Sequence, residues 1–288
     1  MTNARSNVLV LGGTGKTGSR LAATLAKLGL NVRTAARHRA DVHFDWDDPT
    51  THRPALQGID RLYLVPPVMR VDFADPVAAF LDLAETAGVR HVTYVSAYGT
   101  ISRWRGAAAI GQAPAQVALR AVELDLIGRG AMTHSILRPA WFMQNFSETF
   151  LKPVDGLITV PTANGSEAFI DVSDIAAAAA ETLASPDAHA DAAYALTGPE
   201  AITVSEAAEI IAEVTGKPMK HYDIDRDMWI QGAVAAGVPA EYGEMLRILT
   251  ETIASGKGSR PTDNVETVTG APPIRFADFA RRTAQAWT

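Results

Sequence analysis

The sequence predicts an α/β fold: a doubly wound parallel sheet with a smaller, mostly helical C-terminal lobe. Three observations carry this. The apolar run Val8-Leu9-Val10-Leu11 ends in closely spaced glycines, and a helix-period segment from Ser19 to Leu25 begins at once. Short β-branched runs then alternate with helical segments as far as Pro139, the pattern of a parallel sheet covered by helices. Beyond Asn145 the alternation stops, and from about Ser205 to Thr288 helices are broken by Gly and Pro. A chain of 288 residues is long enough for one extended sheet domain and a second lobe.

The elements follow in order. The second strand is read at Val32 to Arg37 and a short third at Val42 to Phe44, ending in Asp45 and Trp46. Ile59 to Val65 is the fourth, stopped by Pro66 and Pro67. Asp75 and Pro76 start a helix that runs to Ala87 and is capped by Gly88. The fifth strand is His91 to Ser96, and a long helix follows from about Ala113 to Ile127. Thr133 to Leu137 is the sixth strand, ended by Arg138 and Pro139. Further on, Leu157 to Pro161 and Ala195 to Thr197 read as short strands, and Asp171 to Leu183 as a helix returning to the sheet. Asp171 and Asp174 are expected to cap that helix. The domain expectation is therefore residues 1–150, with 168–185 returning to them, and a smaller substrate lobe in 151–288.

The first turn decides what the sheet binds. Gly15-Lys16-Thr17 suggests a P-loop, but that pattern needs a glycine where Val10 stands, inside the strand. The glycines instead fall at Gly12, Gly15 and Gly18, a relative of the dinucleotide fingerprint. Gly12 opens the turn, Gly13 sits where a side chain would crowd a phosphate, and Gly15 lets backbone approach the pyrophosphate. Gly18 lets the helix pack. With Thr14, Lys16 and Thr17 the turn presents a helix N-terminus to an anion. An acid binding the ribose 2′-OH is expected about 20 residues on. Here Arg37 lies 19 residues after Gly18, Arg39 follows, and the first acid is Asp41. Guanidinium groups suit a 2′-phosphate, with Lys16 converging on it, so NADPH is expected over NADH. Asp45 is expected at the adenine amine with Phe44 or Trp46 beside the ring; Trp46 serves simple packing equally well. Ligands of such sheets lie beyond the strands' carboxyl ends, which brings Val65, Pro66, Pro67, Ser96, Ala97 and Pro139 to the cofactor.

Composition excludes several classes. A net charge of −6 offers no basic stripe for nucleic acid. The absence of cysteine removes disulfides and thiolate metal sites, and no metal is expected from the seven histidines. No apolar run reaches the ~20 residues of a membrane span, and the six residues before the first strand leave no room for a signal peptide. A cytoplasmic protein, monomer or homodimer, acting on a small-molecule substrate is expected.

The glycine turn, Leu137-Arg138-Pro139-Ala140-Trp141-Phe142-Met143-Gln144-Asn145-Phe146 and Phe169-Ile170-Asp171-Val172-Ser173-Asp174 together resemble the NmrA-like, atypical short-chain dehydrogenases of Rossmann fold. Val42-His43-Phe44-Asp45-Trp46, Trp141 to Phe146, and Val268 to Pro273 with Phe276 to Ala280 are similar to the festuclavine and agroclavine dehydrogenases. The resemblance implies an NADPH-dependent imine, ene or quinone reductase, or a regulator that binds the cofactor without turning it over. Ordinary short-chain dehydrogenases use a Ser after the fifth strand and a Tyr-x-x-x-Lys on the next helix. Ser96 matches the Ser. Glu123 aligns with the acid four residues beyond the Lys, so Ala115 and Leu119 stand in the Tyr and Lys places. The expected chemistry is hydride transfer to an acceptor needing no strong acid: an iminium, an enone or a quinone. The rival expectation is an NADP(H) sensor acting through a protein partner.

Ser96 and Tyr98 are the catalytic candidates, Tyr98 as proton donor, substrate contact or a phenol at the pocket rim. Trp141 and Phe142 are expected as apolar walls beside the nicotinamide, and Trp141 fits a core between lobes equally well. Asn145 is expected to orient the carboxamide or the substrate. Phe169 and Tyr242 are further substrate-pocket candidates, and Met228-Trp229 reads as core.

Overall fold

The computed structural model describes residues 7–67, 69–99 and 114–288, with side chains from 117 in the last segment. In chain order the elements are β1 (Asn7–Leu11), α1 (Lys16–Lys27), β2 (Asn31–Ala36), β3 (Val42–His43), α2 (His52–Leu56), β4 (Arg61–Leu64), α3 (Ala74–Ala87), β5 (His91–Val95), α4 (Pro114–Gly128), β6 (Thr133–Pro139) and α5 (Asn145–Glu148). Then come β7 (Leu157–Thr159), β8 (Ser166–Glu167), α6 (Val172–Ala184), β9 (Ala192–Leu196), β10 (Ile202–Thr203), α7 (Val204–Thr215), β11 (Lys220–Tyr222), α8 (Arg226–Ala235), α9 (Ala240–Ala254), α10 (Asn264–Thr269) and α11 (Phe276–Thr283). None of the described helices is long and apolar enough to cross a membrane.

The main sheet has the order β3-β2-β1-β4-β5-β6-β9, and every neighbouring pair is parallel. The order reverses beside β1, where chain crossovers leave a crevice for ligands at the carboxyl edge. Successive β1 residues face opposite sides. Leu9 and Leu11 join a core closed by α2, α3 and α4, while Val8 and Val10 join one closed by α1, α6 and α10. A third core, with Phe146, Phe169, Ile211, Phe276 and Phe279, holds the smaller lobe together. α3 ends where expected, because Gly88 at φ +93° adopts the left-handed cap.

One strand is placed differently from expectation. The sequence pattern places Ala195–Thr197 in the smaller lobe, whereas Ala192–Leu196 forms the seventh strand of the main sheet, beside β6. Helix α6 packs on α1 and returns the chain to that edge, and α10 packs on α6 and β9. The smaller lobe therefore starts and stops more than once along the chain. Two small sheets, β8–β10 antiparallel and β7–β11 parallel, support it.

Candidate active site

The turn after β1 is shaped by backbone. Gly12 sits at φ +63°, and its carbonyl accepts from Gly15 N at 2.8 Å. A Cβ at Gly18 would lie 2.2 Å from that carbonyl oxygen, so Gly18 admits α1 against the turn itself. The reason expected for Gly13 needs correcting: its missing side chain leaves room for Thr34 of β2, 2.6 Å from where a Cβ would stand, not for a phosphate. No side chain caps α1, and its first turn carries no acid. The leading amides of α1 thus have no intrahelical acceptor and face an electropositive end, which fits a pyrophosphate. Thr14 and Gly15 are exposed beside them. Thr17 is engaged by the buried Tyr63, whose hydroxyl donates to Thr17 Oγ1 at 2.9 Å. Lys16 pairs with Glu148 of α5 at 3.0 Å, which draws its ammonium toward the smaller lobe.

At the end of β2, Arg37 and Arg39 are exposed, and among the described residues neither has an ion-pair partner. Asp41 is held elsewhere. One of its oxygens accepts from Thr34 N at 2.8 Å and Thr34 Oγ1 at 2.7 Å, and these bonds hold its carboxyl below the ordinary range. Asp45 Oδ1 accepts from Asp47 N at 3.1 Å. Trp46 packs edge-on against Phe44 and Phe80, at 5.0 and 5.4 Å between ring centres, while staying partly exposed.

Beyond β4, β5 and β6 the carboxyl edge opens into an apolar cavity of ≈ 360 Å³. Val65, Pro66 and Pro67 line it from β4; Ser96, Ala97 and Tyr98 line it from β5; Pro139, Trp141, Phe142 and Asn145 line it from β6 and α5. The structure thus brings most of the expected strand-end residues to one place. Phe169 is the exception and a correction. It is 1% exposed and packs edge-on against Phe146 at 5.0 Å, in the core of the smaller lobe. Asp174 is a smaller one: Asp171 alone caps α6, accepting from Ser173 N at 2.7 Å, while Asp174 accepts from Ile274 N at 2.9 Å.

Ser96 sits on a buried charge network. Its Oγ donates to Glu123 Oε1 at 2.6 Å. Arg138 grips the same carboxylate through Nε at 2.9 Å and an NH2 at 3.0 Å, and Arg120 adds a bond of 2.7 Å. Glu123 is fully buried, which alone would raise its carboxyl. The hydrogen bonds from Arg138 and Ser96 outweigh that and hold it below the ordinary range. Through this bond Ser96 ties the end of β5 to α4. Leu119 of α4 lines the cavity, and the side chain of Ala115 and residue Ala113 lie outside the described residues. The Tyr98 amide donates to Pro139 O at 2.9 Å, tying the β5 and β6 ends together, and its ring edges the cavity.

The far wall was not legible beforehand, apart from Tyr242. Tyr242, Met245, Leu246, Leu249 and Ile253 of α9 face the cavity at helical spacing, and Phe150 joins them. Glu167 of β8 and Ser259 complete the wall. The apolar stripe on α9 is visible in sequence as a helix face; which cavity it meets is not. Met228 is 62% exposed, against expectation, because α8 lies at the surface; Trp229 is partly buried on the third core.

Comparisons with known proteins agree with this geometry. Residues 4–271 match the NmrA-like family. The uncharacterized oxidoreductase YesF of Bacillus subtilis (strain 168) is 36% identical over 290 residues, covering 98% of this chain and 96% of that protein. Agroclavine dehydrogenase of Claviceps fusiformis is 31% identical over 301 residues, covering 97% and 98%. Among solved structures, the Citrobacter sp. triphenylmethane reductase complexed with NADP(H) shares the fold, with a TM-score of 0.75 at 20% identity, covering 97% of this chain and 99% of that one. With a match that spans nearly its whole length and a fold that agrees, the chain belongs to the NmrA-like family.

Proposed function

We propose that this oxidoreductase uses NADPH to reduce an activated C=N or C=C bond, or a quinone, without a Tyr-x-x-x-Lys relay. The observation that carries the reading is the apolar cavity of ≈ 360 Å³ at the carboxyl ends of β4, β5 and β6, on the same edge of the sheet as an uncapped helix N-terminus. When bound, a reduced nicotinamide supplies a hydride: the C–H bond at its ring breaks, one forms at the acceptor carbon, and the acceptor's π pair moves to its heteroatom.

The residues present fit that cofactor. Gly12 to Gly18 would hold the pyrophosphate through backbone amides. Arg37 and Arg39 would hold the 2′-phosphate, and the engagement of Asp41 with Thr34 leaves no competing ribose acid beside them. Asp45 and Trp46 would border the adenine. Val65 to Pro67, Ser96, Ala97, Pro139 and Trp141 would flank the nicotinamide and exclude water from it. Tyr98, Phe142 and Asn145 would meet the acceptor, Tyr98 as hydroxyl donor to an oxygen acceptor. Leu119 at the cavity offers no proton, so orientation would supply most of the rate.

The similarity to agroclavine dehydrogenase supports redox chemistry on a small organic molecule. An open cavity also weighs against a cofactor sensor, whose site needs no space for an acceptor. The test is NADPH consumption, followed by absorbance, against imines, enones and quinones. Turnover of at least one class is expected; tight NADPH binding with no turnover of any would overturn the reading.

A further inference from the structure

Building on the hydride-transfer reading above, we propose that Glu167 is the counter-ion of a cationic acceptor, so that the cavity selects an iminium over a neutral quinone. Glu167 lines the cavity yet is only 5% exposed. Its Oε2 accepts from Ser259 N at 2.8 Å, and its Oε1 accepts from Ser259 Oγ and, at 3.5 Å, from Trp141 N. Ser259 Oγ in turn accepts from Ala168 N at 3.1 Å, which aims its one proton at Glu167. All these partners are donors, and all are neutral. They favour the ionised form of the carboxylate and bring no charge that would neutralise it.

Two other buried carboxylates are different, while Asp174 also accepts only from a backbone amide but lies away from the cavity. Glu123 has Arg138 and Arg120, and Asp171 has Arg282. Among the described residues no Lys or Arg lies within ion-pair reach of Glu167. The cations at the cavity's edge are placed otherwise: Arg70 is held by Asp47 and Asp72, and Lys257 is exposed. The wall is built to fit the carboxylate. A Cβ at Gly258 would stand 2.7 Å from Glu167 Oε2 and 2.1 Å from Ser166 O, so the turn before Ser259 seats directly on it. Burial pushes the Glu167 carboxyl up, a cost that a cation beside it relieves. The rings of Trp141, Phe142, Tyr98 and Tyr242 suit a flat cation.

The chemistry says where the effect falls. An iminium takes hydride at carbon, its C=N π pair becomes the nitrogen lone pair, and a neutral amine leaves with no proton required. The positive charge therefore departs from the acceptor as the reaction proceeds. A carboxylate beside it stabilises the bound acceptor more than the transition state, so losing Glu167 raises KM without lowering kcat.

Two experiments test this. In the wild-type protein loaded with 1,4,5,6-tetrahydro-NADP, a neutral cofactor that donates no hydride, N-methylisoquinolinium and its neutral isostere 2-methylnaphthalene are titrated by tryptophan fluorescence. The cation is expected to bind about ten-fold tighter or more, the effect of one charged contact in a buried site; equal or weaker binding of the cation overturns the proposal. In kinetics, Glu167→Gln is expected to raise KM for an N-methyl dihydroisoquinolinium ion about ten-fold more than it raises KM for menadione, with kcat for the iminium undiminished. Equal loss on both acceptors assigns Glu167 a structural role and overturns the proposal. Cation-selective binding without turnover of either acceptor overturns the hydride-transfer reading and leaves the cation site standing, whereas turnover of both with no charge preference does the reverse.

Discussion

The turn after β1 and the cavity over β4 to β6 are neighbours built on different principles. The turn is made of main chain: a positive φ at Gly12, a carbonyl packed against Gly18, and amides left without acceptors. Seven consecutive residues contain all of it. The cavity is made of side chains from six separate stretches, and its floor rests on a buried charge network around Glu123. A ligand common to many enzymes can be met by backbone, which any sequence supplies once glycines are placed. A particular acceptor needs side chains, and these come from wherever the fold delivers them.

The contrast can be broken first at the cavity floor. Glu123→Ala leaves the half-buried Arg138 and Arg120 without their partner and is expected to cost about 3 kcal/mol in urea unfolding; a loss below ~1 kcal/mol would show that the floor does not depend on this network. Its pH dependence has a defined sign. The Glu123 carboxyl lies lower in the folded chain than in the unfolded one, so its contribution is full above the ordinary carboxylate range and is lost as pH falls through the folded value. The stability gap between wild type and Glu123→Gln should narrow in acid accordingly.

Gly18→Ala attacks the turn through backbone alone. With a Cβ forced to 2.2 Å from Gly12 O, a loss of about 1–3 kcal/mol is expected. Calorimetric titration should show NADPH and NADH weakened together, since both share the pyrophosphate; an unaltered affinity would remove the turn from the binding site. Arg37→Ala separates the two cofactors, with NADPH weakened about ten-fold or more and NADH left alone. Equal losses for both would sink the 2′-phosphate assignment. The smallest effect is expected for Asp41→Asn. The loop between β2 and β3 should lose about 1 kcal/mol in thermal unfolding while NADH affinity holds; weaker NADH binding would make Asp41 a ribose ligand after all.

What could be read in the sequence follows the same division. The strands β1 to β6, with α1, α3 and α6, were legible because apolar periodicity and Gly or Pro stops are local signals. The place of β9 is not legible, because nothing near Ala192 announces a partner in β6, more than fifty residues earlier. At the site, the residues just past strand ends were found by a topological rule, and most line the cavity. Phe169 was expected there and lies in the core, since an aromatic near a strand end looks the same in either setting. Glu167, two residues before it, carried no sequence signal because its role depends on Ser259, ninety-two residues away.

One helix supplies most of the far wall. Tyr242, Met245, Leu246, Leu249 and Ile253 stand on a single stripe of the 15-residue α9, and none of them belongs to the turn or to the β2 end. If the cavity holds the acceptor as proposed, exchanges along this stripe reshape that space without touching the turn or the β2 end. A lineage with this architecture can change what it reduces by drift in one segment, and a designer can do the same by recombining a short stretch of gene.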